Sequence, residues 1–290
     1  MANKKITHQI CMMMYGFGDS HVPNPETVRL VENIVQKQLR TIVNEALKHW
    51  DGKMVKGQEL VFLLRHNKHK MQRFVKYIRQ QEVTRKLKST NPSVINIDPD
   101  DVPKNPLIEF IERLDETGEF LDTSEIDETK IDRLLRADRI SKDLNEEKYI
   151  EFQRARCASF RRCQANFEHI KQWIDPTDEV KFTQEALEVL CYFAYQTVAE
   201  IVDYALLVRE DAQSGNDPLS HLPGSYYTAT MFNAPHGLER KKIDCTRIHT
   251  NQPPISPNEI KEVMRRVHTP QAGKLNFGGK VPETHYLFAL

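Results

Sequence analysis

Apolar residues recur every three to four positions between Pro25 and Trp50, which is the spacing of one face of an α-helix. At about 1.5 Å per residue, this helix is roughly 39 Å long. Asn24 is placed to cap its start, Pro25 suits its first position, and Asp51-Gly52 favours its end. Its apolar stripe is too broad for one short neighbour to cover and contains Val28, Val31, Ile34, Val35, Leu39, Ile42, Val43, Ala46 and Leu47.

A second segment with the same length and period spans Thr183 to Arg209, and Thr183 is its candidate N-cap. Its apolar stripe contains Ala186, Leu187, Leu190, Phe193, Ala194, Thr197, Val198, Ile201, Val202, Ala205 and Val208. Since each long stripe needs a large apolar partner, we predict that the two long helices cover each other. The predicted pairing residues are Val31, Ile34, Val35 and Ile42 on the first helix, and Leu190, Phe193, Val198 and Ile201 on the second.

Shorter apolar helices flank both long ones. Ile6 to Phe17 precedes the first and Gln58 to Arg65 follows it, whereas Phe160 to Trp173 precedes the second and Ser256 to Val267 follows it after an insertion. The order short, long, short is the outline of a histone fold. The pattern therefore predicts an all-α protein with two histone folds that pair head to tail within one chain, joined by an acidic linker.

Changes in composition suggest the domain limits. We predict a first histone fold with an added C-terminal helix at 1–88, an acidic linker at 89–130, a second histone fold at 131–268 and a tail at 269–290. Prolines disfavour regular structure in the linker before a short helix at Pro106 to Leu114. The second fold is predicted to contain a charged helical segment from Ile131 to Gln153 and a loop insertion at about 212–254.

The overall composition is that of a well-solvated protein. The 290 residues include 41 Lys and Arg and 41 Asp and Glu, so the net charge is zero, which argues against a protein held on nucleic acid mainly by phosphate neutralisation. The scattered cysteines Cys11, Cys157, Cys163, Cys191 and Cys245 suit a reducing compartment. No apolar run approaches the ~20 residues that span a bilayer, so we expect a soluble intracellular protein.

Three motifs could carry chemistry, and each lacks essential parts. His66 and His69 would share a helical face, but no further ligands are spaced to complete a metal site. The glycine-rich tail has Gly279 where a phosphate loop needs lysine. Arginines near Cys157 and Cys163 would lower a thiol pKa, but no histidine is placed as a base. We therefore expect no catalytic residue, no cofactor and no metal site.

A run of basic residues raises the alternative of a histone-like DNA-binding module. From Arg65 to Lys88 the only acid is Glu82, whereas the following stretch from Asp98 to Glu128 is acidic. The two stretches could attract each other, or both could be solvated. The residues available to phosphates are Arg65, Lys68, Lys70, Arg73, Lys76, Arg79, Arg85, Lys86 and Lys88.

Several blocks of sequence resemble the suppressor-of-Ty transcription initiation family, which belongs to the SAGA coactivator. The first fold matches in ICMMMYGFGD, PNPETVRLVENIV and FLLRHNKHKMQRFVKYI. The second fold matches in Arg136 to Phe160, Leu187 to Val208 and Pro254 to Val267, and the tail matches in Asn276 to Lys280. Because these separated blocks occur in the family's order, the resemblance covers both folds.

The resemblance implies a nuclear coactivator subunit, not an enzyme, whose two folds pair within one chain. It also implies binding of the TATA-binding protein and regulation of its delivery to promoters. Other SAGA subunits are expected to cover apolar surface, and direct DNA contact is a secondary expectation. The alternatives are a histone-like DNA-binding module and a TFIID-type histone-fold subunit.

The polar face of the second long helix is the candidate docking surface for the TATA-binding protein. That partner's DNA-binding surface is basic, so an acidic helix face would complement it. The alternative is an ordinary solvated helix face. The residues of this face are Glu185, Glu188, Gln196, Glu200 and Asp203.

Overall fold

The computed structural model describes residues 2–48, 54–89, 105–122, 124–160, 166–213, 252–268 and 286–290. Helices dominate these residues. The elements up to the linker are α1 (Ala2–Phe17), α2 (Pro25–Lys48), β1 (Met54–Val55), α3 (Gly57–Leu63), a turn of 3-10 helix (Leu64–His66) and α4 (Lys68–Ser89). The remaining elements are α5 (Pro106–Leu114), α6 (Glu128–Lys142), α7 (Glu146–Arg156), α8 (Asn166–Ile174), β2 (Lys181–Phe182), α9 (Gln184–Gln213) and α10 (Pro257–His268).

The chain forms two compact units, and each unit draws on both halves of the sequence. Unit 1 consists of Met1–Ile34, Arg133–Ala158 and Val198–Tyr286, so it takes the first part of α2 and the last part of α9. Unit 2 consists of Val35–Asp132, Ser159–Thr197 and Leu287–Leu290, so it takes the opposite parts of the two helices. Such an exchange is what head-to-tail pairing of the two long helices requires, and the predicted all-α, histone-fold class is confirmed.

The predicted starts of the long helices are confirmed by their capping contacts. The Asn24 side chain accepts the N–H of Glu26 at 2.9 Å, and the Thr183 hydroxyl oxygen accepts the N–H of Ala186 at 3.2 Å. At α10, the N–H of Ser256 donates to Glu259 at 2.6 Å and the N–H of Glu259 donates back to the Ser256 hydroxyl at 3.3 Å. The predicted end of the first long helix at residues 51 and 52 lies outside the described residues.

The residues chosen for pairing of the long helices are buried, with one partial exception. Ile34 is only half-buried, whereas the others have no more than trace exposure: Val31, Val35, Ile42, Leu190, Phe193, Val198 and Ile201. Their apolar side chains therefore belong to the interior of the unit in which each lies. Which of them contact one another across the two helices remains a prediction.

A short parallel pairing lies within unit 2. Met54 of β1 is opposite Lys181 of β2, and Val55 is opposite Phe182. The N–H of Thr183 also donates to the carbonyl of Val55 at 3.0 Å. This pairing was not predicted from the sequence, because a two-residue strand has no period to detect.

The charged segment from Ile131 to Gln153 is two helices instead of one. The side chain of Asn145 accepts the N–H of Lys148 at 3.1 Å and so starts α7 separately from α6. The inner faces of these two helices pack on Tyr15 of α1 in unit 1, and the Tyr15 and Phe152 rings lie 5.2 Å apart at an angle of 64°. This cluster contains Tyr15, Ala137, Ile140, Phe152 and Ala155.

Candidate protein-interaction surfaces

The polar face of α9 is less exposed than the sequence suggested. Glu185 is exposed and Glu188 is partly exposed, but Gln196 and Glu200 are both buried within the chain. The expectation of a continuous solvent-facing stripe is therefore wrong for its middle. A helix with this many apolar residues presents little free surface, so even polar positions near the stripe become covered.

Asp203, at the far end of this face, is engaged by two arginines of α6 within unit 1. Its carboxylate oxygens accept hydrogen bonds from Arg133 Nε and from Arg136 Nη1, each at 2.7 Å. Arg136 Nη1 also donates to the carbonyl of Phe17 at 2.8 Å, at the end of α1. Charge reversal at Asp203 would place a cation against two others, so we expect it to destabilise unit 1.

Glu188 forms a surface ion pair with Arg85 in unit 2. Arg85 Nη2 lies 3.1 Å from its carboxylate, and more than half of the Arg85 side chain is exposed. An exposed pair of this kind contributes little to stability and can exchange partners at low cost. The carboxylates of Glu185 and Glu188 are thus the part of the face that another protein could reach.

The last turns of α9 also expose aromatic and apolar side chains. Tyr204 and Leu207 are exposed on this helix, and the Tyr204 hydroxyl lies 3.4 Å from that of Tyr286. Burial raises the pKa of Tyr286 well above its ordinary value, and the hydrogen bond with Tyr204 and the nearby charge of Glu200 act in the same direction. The Tyr286 phenol therefore stays neutral at physiological pH.

Apolar side chains are also exposed on α6 and α7, although the sequence predicted mainly charged residues for this segment. Leu134 and Leu135 of α6 and Tyr149 and Ile150 of α7 are each about half exposed. The sequence contained a signal for this exposure, because α6 carries apolar residues on two faces. Ala137 and Ile140 alone are sufficient for its inner face. These side chains form a second surface available to other proteins.

The basic run is largely neutralised within unit 2. Arg73 makes two hydrogen bonds to Asp127, at 2.7 and 2.8 Å, and Lys68 contacts Glu125 at 2.8 Å. The bond with Glu125 raises the pKa of Lys68, and the same bond lowers the pKa of Glu125. Of the two alternatives for the acidic stretch, direct contact with the basic helix is therefore the one that is found.

Other cations of the run also have partners. Lys76 donates to the carbonyl of Glu125 at 2.8 Å, and the Arg65 guanidinium stacks 3.9 Å from the centre of the Phe62 ring. Lys70 donates to carbonyl oxygens of Phe288 and Leu290. These contacts remove much of the positive surface that a histone-like grip on DNA would need, although the side chains of residues 86–89 lie outside the description.

The remaining candidates for chemistry do not come together. His66 ends the 3-10 turn and His69 lies in α4, and the extended Asn67 separates them, so the prediction of a shared helical face is wrong. Within the described part of the chain, no group of three or more His, Cys, Asp or Glu side chains is placed to hold a metal ion. Cys157 is exposed at the C-cap position that follows α7, while Cys163, Cys245 and Gly279 lie outside the described residues.

One buried carboxylate escaped the sequence analysis. In unit 1, Asp19 accepts the N–H of Ile255 at 2.8 Å and that of Ser20 at 2.7 Å, and the Thr27 hydroxyl donates to the carbonyl of Ile255 at 2.7 Å. Gly18, with φ 115°, supplies the left-handed turn that ends α1 and places Asp19 there. Ile255 follows the insertion, so these contacts fix the place where the chain re-enters the fold.

No described helix has both the length and the apolar content that a bilayer crossing requires. The family described as "Transcription initiation factor IID, 18kD subunit" matches residues 4–92. SAGA complex subunit Spt3 of Drosophila melanogaster is 28% identical over 92% of this chain and 68% of its own length. The Schizosaccharomyces pombe protein of the same name is 23% identical over 96% of both chains, and that of Saccharomyces cerevisiae is 22% identical over 93% of both.

The resemblance to the suppressor-of-Ty family is confirmed. These relatives align across both halves of the chain, so the likeness is not confined to one histone fold. The TFIID match covers α1 to α4, which is the first of the two short–long–short segments. Both names denote transcription proteins, and the two-unit architecture agrees with a histone-fold subunit.

Proposed function

We propose that this chain is a non-enzymatic subunit of a SAGA-type transcription coactivator in the nucleus. The observation that carries the proposal is alignment with proteins named SAGA complex subunit Spt3 over more than nine-tenths of the chain. The exposed apolar residues on α6 and α7 support it, because a subunit of a large assembly covers such side chains with its neighbours.

Within that role, the chain binds the TATA-binding protein and regulates its delivery to promoters. The proposed contact is the accessible acidic part of the α9 face, Glu185 and Glu188, which complements a basic partner surface. Glu200 is buried and Asp203 is paired with two arginines, so neither has a direct part in this contact. Gln196 is buried and has no direct part in this contact.

The test is a double charge reversal, Glu185→Lys with Glu188→Lys. The matched control is Glu146→Lys with Glu147→Lys on α7, which makes the same change in net charge at two exposed acids in that helix's first turn. We expect the α9 variant to bind the TATA-binding protein about tenfold more weakly at low salt, with the control unchanged. Equal binding by both variants would remove this face from consideration.

A second candidate role is that of a TFIID-type histone-fold subunit, which the match at residues 4–92 favours. Affinity purification of the tagged chain from its own cells separates the two roles. Recovery of other SAGA subunits supports the first, whereas recovery of TFIID subunits alone supports the second.

A further inference from the structure

The last four residues of the chain are part of the interior of unit 2. The Phe288 side chain is fully buried, with 0% of its surface exposed, and Ala289 is almost as well covered. The N–H of Phe288 donates to Gln38 Oε1 of α2 at 3.1 Å. Lys70 Nζ of α4 donates to the carbonyl of Phe288 at 2.5 Å and to that of Leu290 at 3.0 Å.

The backbone of residues 287–290 forms hydrogen bonds within the segment and with side chains of α2 and α4. The N–H of Leu290 donates to the carbonyl of Leu287 at 3.2 Å, which closes a tight turn. Gln38 and Lys70 then supply the partners of the Phe288 amide and of the two carbonyls. These polar contacts are to backbone atoms of the segment, and its buried side chains are the Phe288 ring and the Ala289 methyl group, so a short peptide can reproduce them.

The position of Lys70 is unusual for a helix. It lies in the first turn of α4, where the helix dipole disfavours a cation, beside Lys68 and His69. Asn67 caps this turn by accepting the N–H of Lys70 at 3.1 Å, so the ammonium group is not needed for capping. A positive charge that is unfavourable in its own helix can be stabilised by acceptors outside that helix. For Lys70, those acceptors are the carbonyl oxygens of Phe288 and Leu290.

We propose that the cleft between Gln38 and Lys70 is a peptide-binding site. Its ligand is a short, apolar, turn-forming peptide with an aromatic second residue, and residues 287–290 fill it in the free chain. The site distinguishes ligands by the aromatic ring and holds them by backbone hydrogen bonds. A separate peptide with the sequence of residues 287–290 makes the same contacts when it binds to this site.

The experiment uses the full chain with Phe288→Ala and a labelled peptide of residues 284–290, made as the C-terminal amide. We expect saturable binding by fluorescence anisotropy and a rise in the melting temperature of the variant when peptide is added. The unmodified chain should bind at least about tenfold more weakly, because its tethered segment competes at an effective concentration in the millimolar range. The matched control is the same peptide with Phe288→Ala, which should bind neither protein.

A folded Phe288→Ala chain that fails to bind the peptide would overturn the proposal. Equal binding by the two peptides would overturn it as well, since the ring would then play no part. If Phe288→Ala does not fold alone, it is refolded in the presence of each peptide, and only the peptide that contains Phe288 should restore folding. Equal refolding with both peptides, or refolding with neither, would overturn the proposal.

Discussion

Arg209 and Glu259 form a bidentate ion pair, in which Arg209 Nε lies 2.7 Å from Glu259 Oε1 and Arg209 Nη2 lies 3.0 Å from Glu259 Oε2. The same guanidinium donates through Nη1 to the carbonyl of Pro253 at 2.8 Å. Arg209 precedes the insertion, whereas Pro253 and Glu259 follow it. A single side chain of α9 therefore holds the segment that leads into α10.

We expect Arg209→Met to lower the free energy of unfolding by about 3 kcal/mol, because it leaves the carboxylate of Glu259 covered and unpaired. The side chains of this pair are only 9% and 19% exposed. The control is Arg266→Met, which breaks another α9–α10 pair, with Asp211, whose side chains are 43% and 59% exposed. Urea unfolding should show a loss below about 1 kcal/mol for the control, and similar losses for both variants would contradict the burial argument.

Asp19 gives a prediction about pH. Burial raises the pKa of Asp19, and the hydrogen bonds from Ile255 and Ser20 and the charge of Arg209 only partly oppose this. A carboxyl whose pKa is raised by folding stabilises the fold when protonated, and that contribution is lost as the pH rises through the folded-state pKa. Ionised Asp19 therefore costs stability at pH 7 and not at pH values below its unfolded pKa.

The substitution that isolates this cost is Asp19→Asn, which keeps an oxygen acceptor for Ile255 and removes the charge. Relative to the unmodified protein, Asp19→Asn should gain stability at pH 7 and lose that advantage progressively toward pH 4. Asp19→Ala should be less stable at both pH values, because it removes the acceptor. Urea unfolding at the two pH values decides the matter, and a pH-independent difference for Asp19→Asn would contradict the prediction.

The sequence was sufficient for the long elements and insufficient for the contacts between charged groups. Broad apolar stripes identify α2 and α9 because burial follows the helical period. The burial of Glu200 and the engagement of Asp203 depend on which neighbours approach α9, and no local pattern contains that information. The contact of Asp127 with Arg73 was foreseeable only as one of two alternatives, since opposite charges in neighbouring stretches are compatible with both contact and solvation.

Neutralising the acidic stretch should increase DNA binding. Glu125→Gln with Asp127→Asn removes the carboxylate charges that lie against Lys68 and Arg73 and keeps the hydrogen-bonding shape of both side chains. Each cation that then reaches a phosphate should steepen the fall of log affinity with log salt by about 0.9. The control, Asp132→Asn with Asp143→Asn, makes the same change in net charge at exposed positions. Equal slopes for both variants would mean that the basic helix is not a DNA surface even when uncovered.

Gly16 marks the closest approach of α1 and α7 in unit 1. An ideal Cβ at Gly16 would lie 2.8 Å from the carbonyl oxygen of Ala155, and this oxygen is backbone and cannot turn aside. Although alanine is the better helix former, Gly16→Ala must move the two helices apart, which disturbs the packing of Tyr15 on Phe152. We expect a loss of about 1–3 kcal/mol in urea unfolding.

Gly57→Ala is the matched control for that substitution. A Cβ at Gly57 would meet side-chain atoms first, Leu107 Cδ2 at 3.1 Å and Glu185 Cβ at 3.2 Å, and the leucine can shift. Its effect should therefore be smaller than that of Gly16→Ala, despite an identical change in composition. If Gly16→Ala proves as stable as the unmodified protein, then α1 and α7 separate at no cost, and the close approach of their backbones does not contribute to the stability of unit 1.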